Sequence, residues 1–124
     1  GTSDERAIDP SQFPPLVRSA VSTIEENLRE SFSVEDLADA CGVSARALQY
    51  AFRKHMGMTP MAYARQVRLA AAHRELESAD PVSGVTVARV AAAWGFMNPG
   101  RFASYYAQQY GRRPSETLYD IRRP

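Results

Sequence analysis

The stretch SVEDLADACGV at residues 33–43 recurs in altered form as TVARVAAAWGF at residues 86–96. At an offset of 53 residues, the hydroxyl that opens each stretch, its apolar positions and its glycine coincide. After the glycine the offset becomes 54, and it pairs Leu48 with Phe102, Phe52 with Tyr106, Gly57 with Gly111 and Pro60 with Pro114. A repeat this detailed, with one shift of one residue, indicates a duplicated structural unit.

The first copy has the pattern of a helix, a tight turn and a second helix. Ser33 with Asp36 three residues later is a capping pattern that opens a short helix. Gly42 can adopt a positive φ and end that helix, and Ser44 can cap the next one, which we expect to run to about Met56. This order of elements is typical of the helix-turn-helix, whose second helix lies in the major groove of DNA.

The same reasoning extends to the rest of the chain. Asn98-Pro99 supplies the cap and first position of the second helix in the second copy, a helix is expected from about Pro15 to Glu30, and Thr59-Pro60 begins a long one. The predicted fold is all-α, with two tandem helix-turn-helix subdomains joined by a long linker helix and about seven helices in total. The predicted divisions are an arm or linker at 1–14, a first subdomain at 15–58, the linker helix at 59–78 and a second subdomain at 79–124.

Charge is segregated along the chain, although the net charge is only +1. Residues 1–40 hold nine acidic side chains against three arginines, whereas residues 44–74 hold six basic side chains and no acid. Residues 98–124 hold five arginines against two acids. A positive surface of this kind suits contact with phosphates, although a solvated helix face would show the same run.

Other classes of function find little support in the composition. One cysteine among 124 residues cannot form an internal disulfide or a multi-cysteine metal site, and no cofactor motif or catalytic arrangement is present. No apolar run approaches the length of a membrane span. We therefore expect a cytoplasmic protein that is not an enzyme, has no cofactor or metal and does not associate with a membrane.

The first recognition helix has a continuous outward stripe if Leu48 and Phe52 are buried. The stripe consists of residues at i, i+3, i+4 and i+7: Arg46, Gln49, Tyr50 and Arg53. Arginine can pair with guanine and glutamine with adenine through two hydrogen bonds each, and tyrosine can contact a thymine methyl group or a phosphate. Arg46, Gln49 and Tyr50 are the candidate base contacts, whereas Ser44, Arg53 and Lys54 are candidate phosphate contacts. The alternative is a helical protein-interaction module that does not bind DNA.

The motif residues resemble the DNA-binding domain of the AraC/XylS family of bacterial transcription regulators over roughly residues 16–120. They are Gly42-Val43-Ser44, Arg46, Leu48, Phe52, Gly57, Thr59-Pro60, Tyr63, Arg68-Leu69, Ala72, Leu76, Val87, Val90-Ala91, Gly95-Phe96, Phe102, Tyr106, Gly111 and Pro114. The resemblance implies a regulator, more often an activator than a repressor, with two recognition helices in neighbouring major grooves of double-stranded DNA. It makes RNA polymerase an expected partner.

Two forms of such a regulator are compatible with the sequence. In one, the effector ligand is bound by a further domain outside this chain, and the proline-containing acidic segment before residue 15 is an interdomain linker. In the other, the chain is a complete single-domain activator. The linker-like composition favours the first form.

The second recognition helix departs from the family pattern. The stripe of the first helix maps onto four small residues, Gly100, Ala103, Ser104 and Ala107. We expect this half to contribute mainly close backbone approach and phosphate contact, with candidate base contacts Asn98, Arg101 and Ser104 and candidate phosphate contacts Tyr105, Arg112 and Arg113. Thr117 also stands where the family often has an aromatic residue, so we expect the packing of the last helix to depart from the family pattern.

Overall fold

The computed structural model describes residues 13–120, which contain seven α-helices, one short 3-10 helix and no β-strand. The α-helices are α1 (Pro15–Glu26), α2 (Val34–Cys41), α3 (Ala45–Met56), α4 (Pro60–Ser78), α5 (Val87–Ala93), α6 (Pro99–Tyr110) and α7 (Pro114–Leu118). The 3-10 helix, Pro81–Ser83, lies between α4 and α5. The all-α prediction is confirmed. The expected arm at 1–14 lies outside the described residues except for its last two.

The described chain divides into two compact units, each built around one copy of the repeat. The first comprises residues 13–27 and 32–64, and the second comprises residues 28–31 and 65–120. Helix α4 is continuous across the division, which falls between Ala64 and Arg65. The second unit is therefore made of two separate stretches of sequence.

In the first unit, α1, α2 and α3 pack on one another. The predicted capping pattern forms at α2: the Ser33 hydroxyl accepts a hydrogen bond from the Asp36 amide at 3.1 Å, and the Asp36 carboxylate accepts one from the Ser33 amide at 3.0 Å. Both bonds satisfy amides that an α-helix otherwise leaves without partners. The buried apolar side chains of this unit are Val17, Ala20, Ile24, Leu37, Ala38, Leu48, Phe52 and Ala64.

The two turns have similar backbone geometry at their glycines. Gly42 and Gly95 have φ values of 73° and 89°, in the left-handed region, where a side chain costs about 1–2 kcal/mol. The amide of Val43 donates to the Ala38 carbonyl at 3.0 Å, and the amide of Phe96 donates to the Ala91 carbonyl at 2.9 Å. Both bonds span five residues and close the helix end. The predicted equivalence of the two turns is confirmed.

The prediction that the first helix reaches Glu30 is wrong, since α1 ends at Glu26. Residues 28–31 leave the helix and join the second unit. There the carbonyl oxygens of Leu28 and Glu30 accept hydrogen bonds from the Arg68 guanidinium at 2.9 and 2.6 Å. These bonds join residues about 40 positions apart along the chain, so tertiary contacts override the local helical pattern.

A second contact holds the same segment in place. The guanidinium carbon of Arg29 lies 4.1 Å from the centre of the Trp94 ring, and the Trp94 indole N–H donates to the Glu75 carboxylate at 2.8 Å. Trp94 is half-buried and packs on the core of the second unit. Stacking of a cation on an indole is worth about 0.5–1 kcal/mol at exposed sites.

The core of the second unit combines residues of α4, α5, α6 and α7. It consists of Leu69, Ala72, Leu76, Val90, Ala91, Phe102, Tyr106 and Leu118. The side chain of Tyr106 carries a polar group into this core, and its hydroxyl donates to the Thr117 hydroxyl at 2.7 Å. Nδ1 of His73 lies 2.6 Å from the same tyrosine oxygen. Burial raises the pKa of Tyr106 above its ordinary value.

These contacts resolve the departure at Thr117. In the first unit the equivalent pair is Phe52 and Tyr63, whose ring centres lie 5.9 Å apart. In the second unit Tyr106 takes the position of Phe52, and Thr117 takes the position of Tyr63. The hydroxyl group is therefore on α6, and Thr117 accepts a hydrogen bond from it. The last helix is packed accordingly, since Thr117 and Leu118 are both buried.

We expect Thr117→Val to destabilise the protein by about 1 kcal/mol, because the Tyr106 hydroxyl loses one of its two hydrogen-bond partners and keeps His73, while side-chain volume is nearly unchanged. Denaturant unfolding followed by circular dichroism measures the change. Thr23→Val is the matched control, since the Thr23 hydroxyl bonds only a carbonyl of its own helix, at Ser19. We expect a change below about 0.5 kcal/mol for that surface-type substitution. Equal effects of the two variants would contradict the role given to Thr117.

Candidate nucleic-acid interface

Helix α3 exposes the stripe that the sequence predicts. It buries Leu48 and Phe52 in the first unit, and the predicted base-contact residues Arg46, Gln49 and Tyr50 are exposed on its other side. Two thirds of the Tyr50 surface, 66%, is accessible. The helix therefore presents two hydrogen-bonding side chains and one aromatic ring on a single outward face.

The start and end of α3 are both defined by local interactions. The Ser44 hydroxyl accepts a hydrogen bond from the Ala47 amide at 3.1 Å, and Gly57, with a φ of 73°, ends the helix. Ser44, predicted as a phosphate contact, is exposed at this N-terminus. Amides at the first turn of a helix favour anions, which is the environment that a phosphate contact requires.

The exposed face of α3 is positive. Within residues 13–120, Arg46 and Arg53 form no ion pair, and Arg53, Lys54 and His55 occupy the last turn. The ammonium group of Lys54 lies 5.9 Å from the centre of the Tyr50 ring. With no acidic residue between positions 44 and 74, the positive potential of this face is not cancelled by a neighbour in sequence.

Two members of the basic run serve the fold. The guanidinium of Arg65 stacks on the Tyr105 ring, with its carbon 4.3 Å from the ring centre. Arg68 binds the carbonyls of residues 28 and 30, and burial lowers its pKa below the ordinary value. The charge count of the sequence therefore overstates the positive surface that faces outward.

Helix α6 begins with the predicted Asn98 cap. The Asn98 side-chain oxygen accepts a hydrogen bond from the Arg101 amide at 2.9 Å. A Cβ atom added at Gly100 would lie only 3.3 Å from that oxygen, so the absence of a side chain at Gly100 lets Asn98 fold over the first turn. The predicted residues Arg101 and Ser104 are exposed three positions apart on α6.

The three predicted phosphate contacts of the second unit differ in their surroundings. Tyr105 is half-buried and packs against the core, in contact with Arg65. The guanidinium of Arg112 donates to the Glu116 carbonyl at 2.8 Å and pairs with Asp120 at 3.4 Å. The structure therefore involves both side chains in intramolecular contacts.

Arg113 is the most exposed of the three, with 75% of its side chain accessible. Its amide donates to the Glu116 carboxylate at 2.8 Å, and this bond keeps the pKa of Glu116 below its ordinary value. The carboxylate also lies 3.4 Å from Nε of Arg113, a separation typical of a weak surface ion pair. Arg113 is thus the arginine of this segment best placed to exchange its partner for a phosphate.

Two exposed residues near α6 were not singled out from the sequence. Gln108 lies seven positions after Arg101 and four after Ser104, so it extends their face of the helix. The offset of 54 pairs it with Lys54, and that correspondence could have identified it. Met97, which precedes the Asn98 cap, is 88% exposed. The change of offset from 53 to 54 marks Met97 as an additional residue, and this could have identified it from the sequence.

The part of the chain that the structure describes offers no metal site and no membrane span. Among residues 13–120, no three or more His, Cys, Asp or Glu side chains are grouped so that they could hold a metal ion. No helix within that range combines the length and the apolar character needed to cross a lipid bilayer. The exposed faces of α3 and α6, each the second helix of a helix-turn-helix, remain the features that define the class: a DNA-binding domain with two such motifs.

Comparison with known proteins supports this class. A family model described as a helix-turn-helix domain matches residues 37–119. The probable thc operon regulatory protein of Rhodococcus erythropolis is 42% identical over 110 residues, 88% of this chain and 32% of that protein. The XylDLEGF operon transcriptional activator 2 of Pseudomonas putida is 38% identical over 105 residues, 84% of this chain and 66% of that protein. The chain thus spans about a third of the first relative and under two thirds of the second.

Solved structures agree with the sequence comparison. A probable AraC family transcriptional regulator from Rhodopseudomonas palustris CGA009 superposes with a TM-score of 0.79 and 37% identity, covering 89% of this chain and all of that one. The DNA-binding domain of AdpA, solved in complex with a target DNA, gives a TM-score of 0.73 and 30% identity over 87% of this chain and 93% of that one. This chain belongs to the AraC/XylS family of helix-turn-helix transcription regulators and carries its DNA-binding domain.

We expect Arg46→Ala to weaken binding to a specific duplex by about tenfold or more and to relax its sequence preference, since a bidentate base contact contributes about 1–3 kcal/mol of discrimination. Ser104→Ala, on the equivalent face of α6, should cost less than about threefold, since one neutral hydrogen bond contributes about 1 kcal/mol or less. Fluorescence anisotropy with matched and scrambled duplexes measures both. Equal losses for the two variants would contradict the unequal roles of α3 and α6.

Proposed function

We propose that this chain binds double-stranded DNA in a sequence-specific manner, with α3 and α6 entering neighbouring major grooves, and that the protein to which it belongs activates transcription. The observation that carries the proposal is the face of α3, where Arg46, Gln49 and Tyr50 are exposed together opposite the buried Leu48 and Phe52. Membership of the family supports the same function.

In this proposal α3 is the principal reading helix. Arg46 binds guanine O6 and N7, Gln49 binds adenine N6 and N7, and Tyr50 contacts a thymine methyl group. Ser44 at the helix N-terminus and the basic residues of the last turn, Arg53 and Lys54, bind phosphates on either side of the groove. In this arrangement the base contacts provide sequence specificity, and the phosphate contacts position the helix in the groove.

Helix α6 makes fewer base contacts in this proposal. Asn98, Arg101 and Ser104 reach the base edges, while the small residues at the other outward positions permit close approach of the backbone. Arg113 is the principal phosphate contact of this unit because it is the most exposed of the three candidates. Arg112 and Tyr105 contribute if DNA draws them from the intramolecular contacts described above.

Activation, effector binding and cellular location are also proposed, on the basis of the relatives. The name of the Pseudomonas putida relative describes a transcriptional activator, which supports activation. We propose contact with RNA polymerase as the route by which activation occurs. We place effector binding in a part of the protein outside this chain, because the chain matches only a share of its relatives. A bacterial regulator that acts on chromosomal DNA works in the cytoplasm.

Selection from a random duplex pool tests the DNA-binding proposal. We expect the recovered sequences to contain two short preferred blocks about one helical turn apart, since consecutive major grooves of one face are about 34 Å apart. The more strongly preferred block should lie under α3. Titration of the recovered duplex should give a slope of log K against log[salt] of roughly −4 to −5, as expected for release of counterions from about five phosphates.

The same experiment separates this function from a protein-interaction module. A module of that kind would enrich no sequence and would show no DNA affinity to titrate. A preference for one block alone would leave α3 as the reading helix and would contradict the role of α6. Arg18→Ala is the charge control for Arg46→Ala in the titration, since it removes the same charge from α1, which is not a recognition helix. It should change the affinity for the selected duplex less than Arg46→Ala does.

Activation is tested separately by transcription in vitro from a promoter that carries the selected site upstream. We expect the full-length protein with purified bacterial RNA polymerase to increase transcript yield severalfold. At a protein concentration close to the wild-type Kd, Arg46→Ala should remove most of this increase, because a loss of about tenfold in affinity leaves the site mostly unoccupied. A fall in transcript yield would show repression instead. An unchanged yield on a promoter with a scrambled site is the required control.

A further inference from the structure

The second turn of the repeat contains one residue that the first turn lacks. In the first copy Val43 is followed directly by the cap Ser44, whereas in the second copy Met97 stands between Phe96 and the cap Asn98. The change of offset from 53 to 54 is this one position.

The additional side chain points into solvent. Met97 is 88% exposed, and the large apolar residues comparably exposed in the described chain are Val82 at 90%, Tyr50 at 66% and Tyr119 at 56%. Among these, Met97 lies two positions before the first residue of α6, next to Asn98, whose side chain caps the helix. Residues at the N-terminal end of a recognition helix contact base edges in helix-turn-helix proteins.

Few groups in the major groove match an exposed aliphatic side chain. The C5-methyl group of thymine is the apolar feature on the edge of a base pair, while the other groups there are hydrogen-bond donors and acceptors. Methionine has an unbranched, flexible and polarisable side chain, which adapts to an apolar partner more readily than a branched one. Contact with a methyl group would remove apolar surface of both partners from water.

We propose that Met97 is a specificity-determining residue that recognises a thymine methyl group in the DNA block under α6. This inference rests on the proposed function and adds to it a chemical class of contact that the hydrogen-bonding residues of α6 do not supply. It predicts a thymine preference in that block which depends on the methyl group itself.

The test uses the duplex recovered by selection and a set of copies in which single thymines are replaced by deoxyuridine. Deoxyuridine keeps the pairing and hydrogen-bonding groups and removes only the C5-methyl. We expect one replacement in the block under α6 to weaken binding of the unaltered protein by about threefold to fivefold, the effect of exposing roughly one methyl-sized apolar contact. Met97→Ser should weaken binding to the thymine duplex to a similar extent.

The decisive observation is the combination of the two changes. If Met97 contacts the methyl group, the Met97→Ser protein should bind the thymine and deoxyuridine duplexes equally, so that the two losses are not additive. Met97→Leu should retain most of the discrimination. Val82→Ser is the matched control, because Val82 is equally exposed but lies on the 3-10 helix. It should retain the full effect of each deoxyuridine.

Other outcomes would contradict either the role of Met97 or the proposed DNA-binding function. Additive losses, no methyl effect at any position under α6, or a selected block without thymine there would each exclude Met97 as the reader of a methyl group. In all of these the protein still binds its duplex, so the proposed function stands. Absence of binding to any duplex would remove the proposed function instead. Equal affinity of wild type and Met97→Ser for an unrelated duplex at low salt shows that the variant is folded.

Discussion

Each helix-turn-helix depends on a backbone hydrogen bond that spans five residues across a left-handed glycine. The bonds from Val43 to Ala38 and from Phe96 to Ala91 end the short helices and set the direction in which α3 and α6 begin. Because each bond lies within the backbone, the side chains around it can change while the turn persists. The buried side of α3 packs in the core of the first unit, and its opposite side is exposed. The turn thus determines which side of α3 is exposed, and the side chains on that side determine what it can contact.

The two copies preserve this geometry while exchanging the residues around it. In the first unit Phe52 packs on Tyr63, whereas in the second unit Tyr106 bonds Thr117 and His73. Tyr106 is slightly larger than Phe52, whereas Thr117 is much smaller than Tyr63, and the His73 ring packs beside this pair with its centre 5.7 Å from that of Tyr106. The polar group is accommodated because each buried oxygen finds a partner. The outward faces have diverged further, from arginine, glutamine and tyrosine on α3 to mostly small residues on α6.

Most of the fold could be predicted from the sequence because its determinants are local. Caps at Ser33, Ser44 and Asn98 and the turn glycines act within a few residues, and all of them form as predicted. The end of α1 could not be predicted, since the residues that bind segment 28–31 lie far along the chain. For the same reason the sequence could not distinguish Arg65 and Arg68, which make intramolecular contacts, from the exposed basic residues of α3. The exposed face of α3 could be predicted from its helical spacing, whereas the intramolecular partners of Arg112 and Tyr105 could not, because spacing alone does not show which side chains pair.

The discontinuous second unit has a consequence for dissection of the protein. A fragment that starts at α4 would contain a whole helix-turn-helix by sequence, yet it would lack residues 28–31. The Arg68 guanidinium would lose two carbonyl acceptors, and Trp94 would lose the cation that covers its ring. The second copy of the repeat is thus not a separable module, although it carries its own turn and recognition helix. Residues 28–31 precede the first copy of the repeat in sequence but belong to the unit of the second copy, so the limits of the folded units do not coincide with the limits of the repeat.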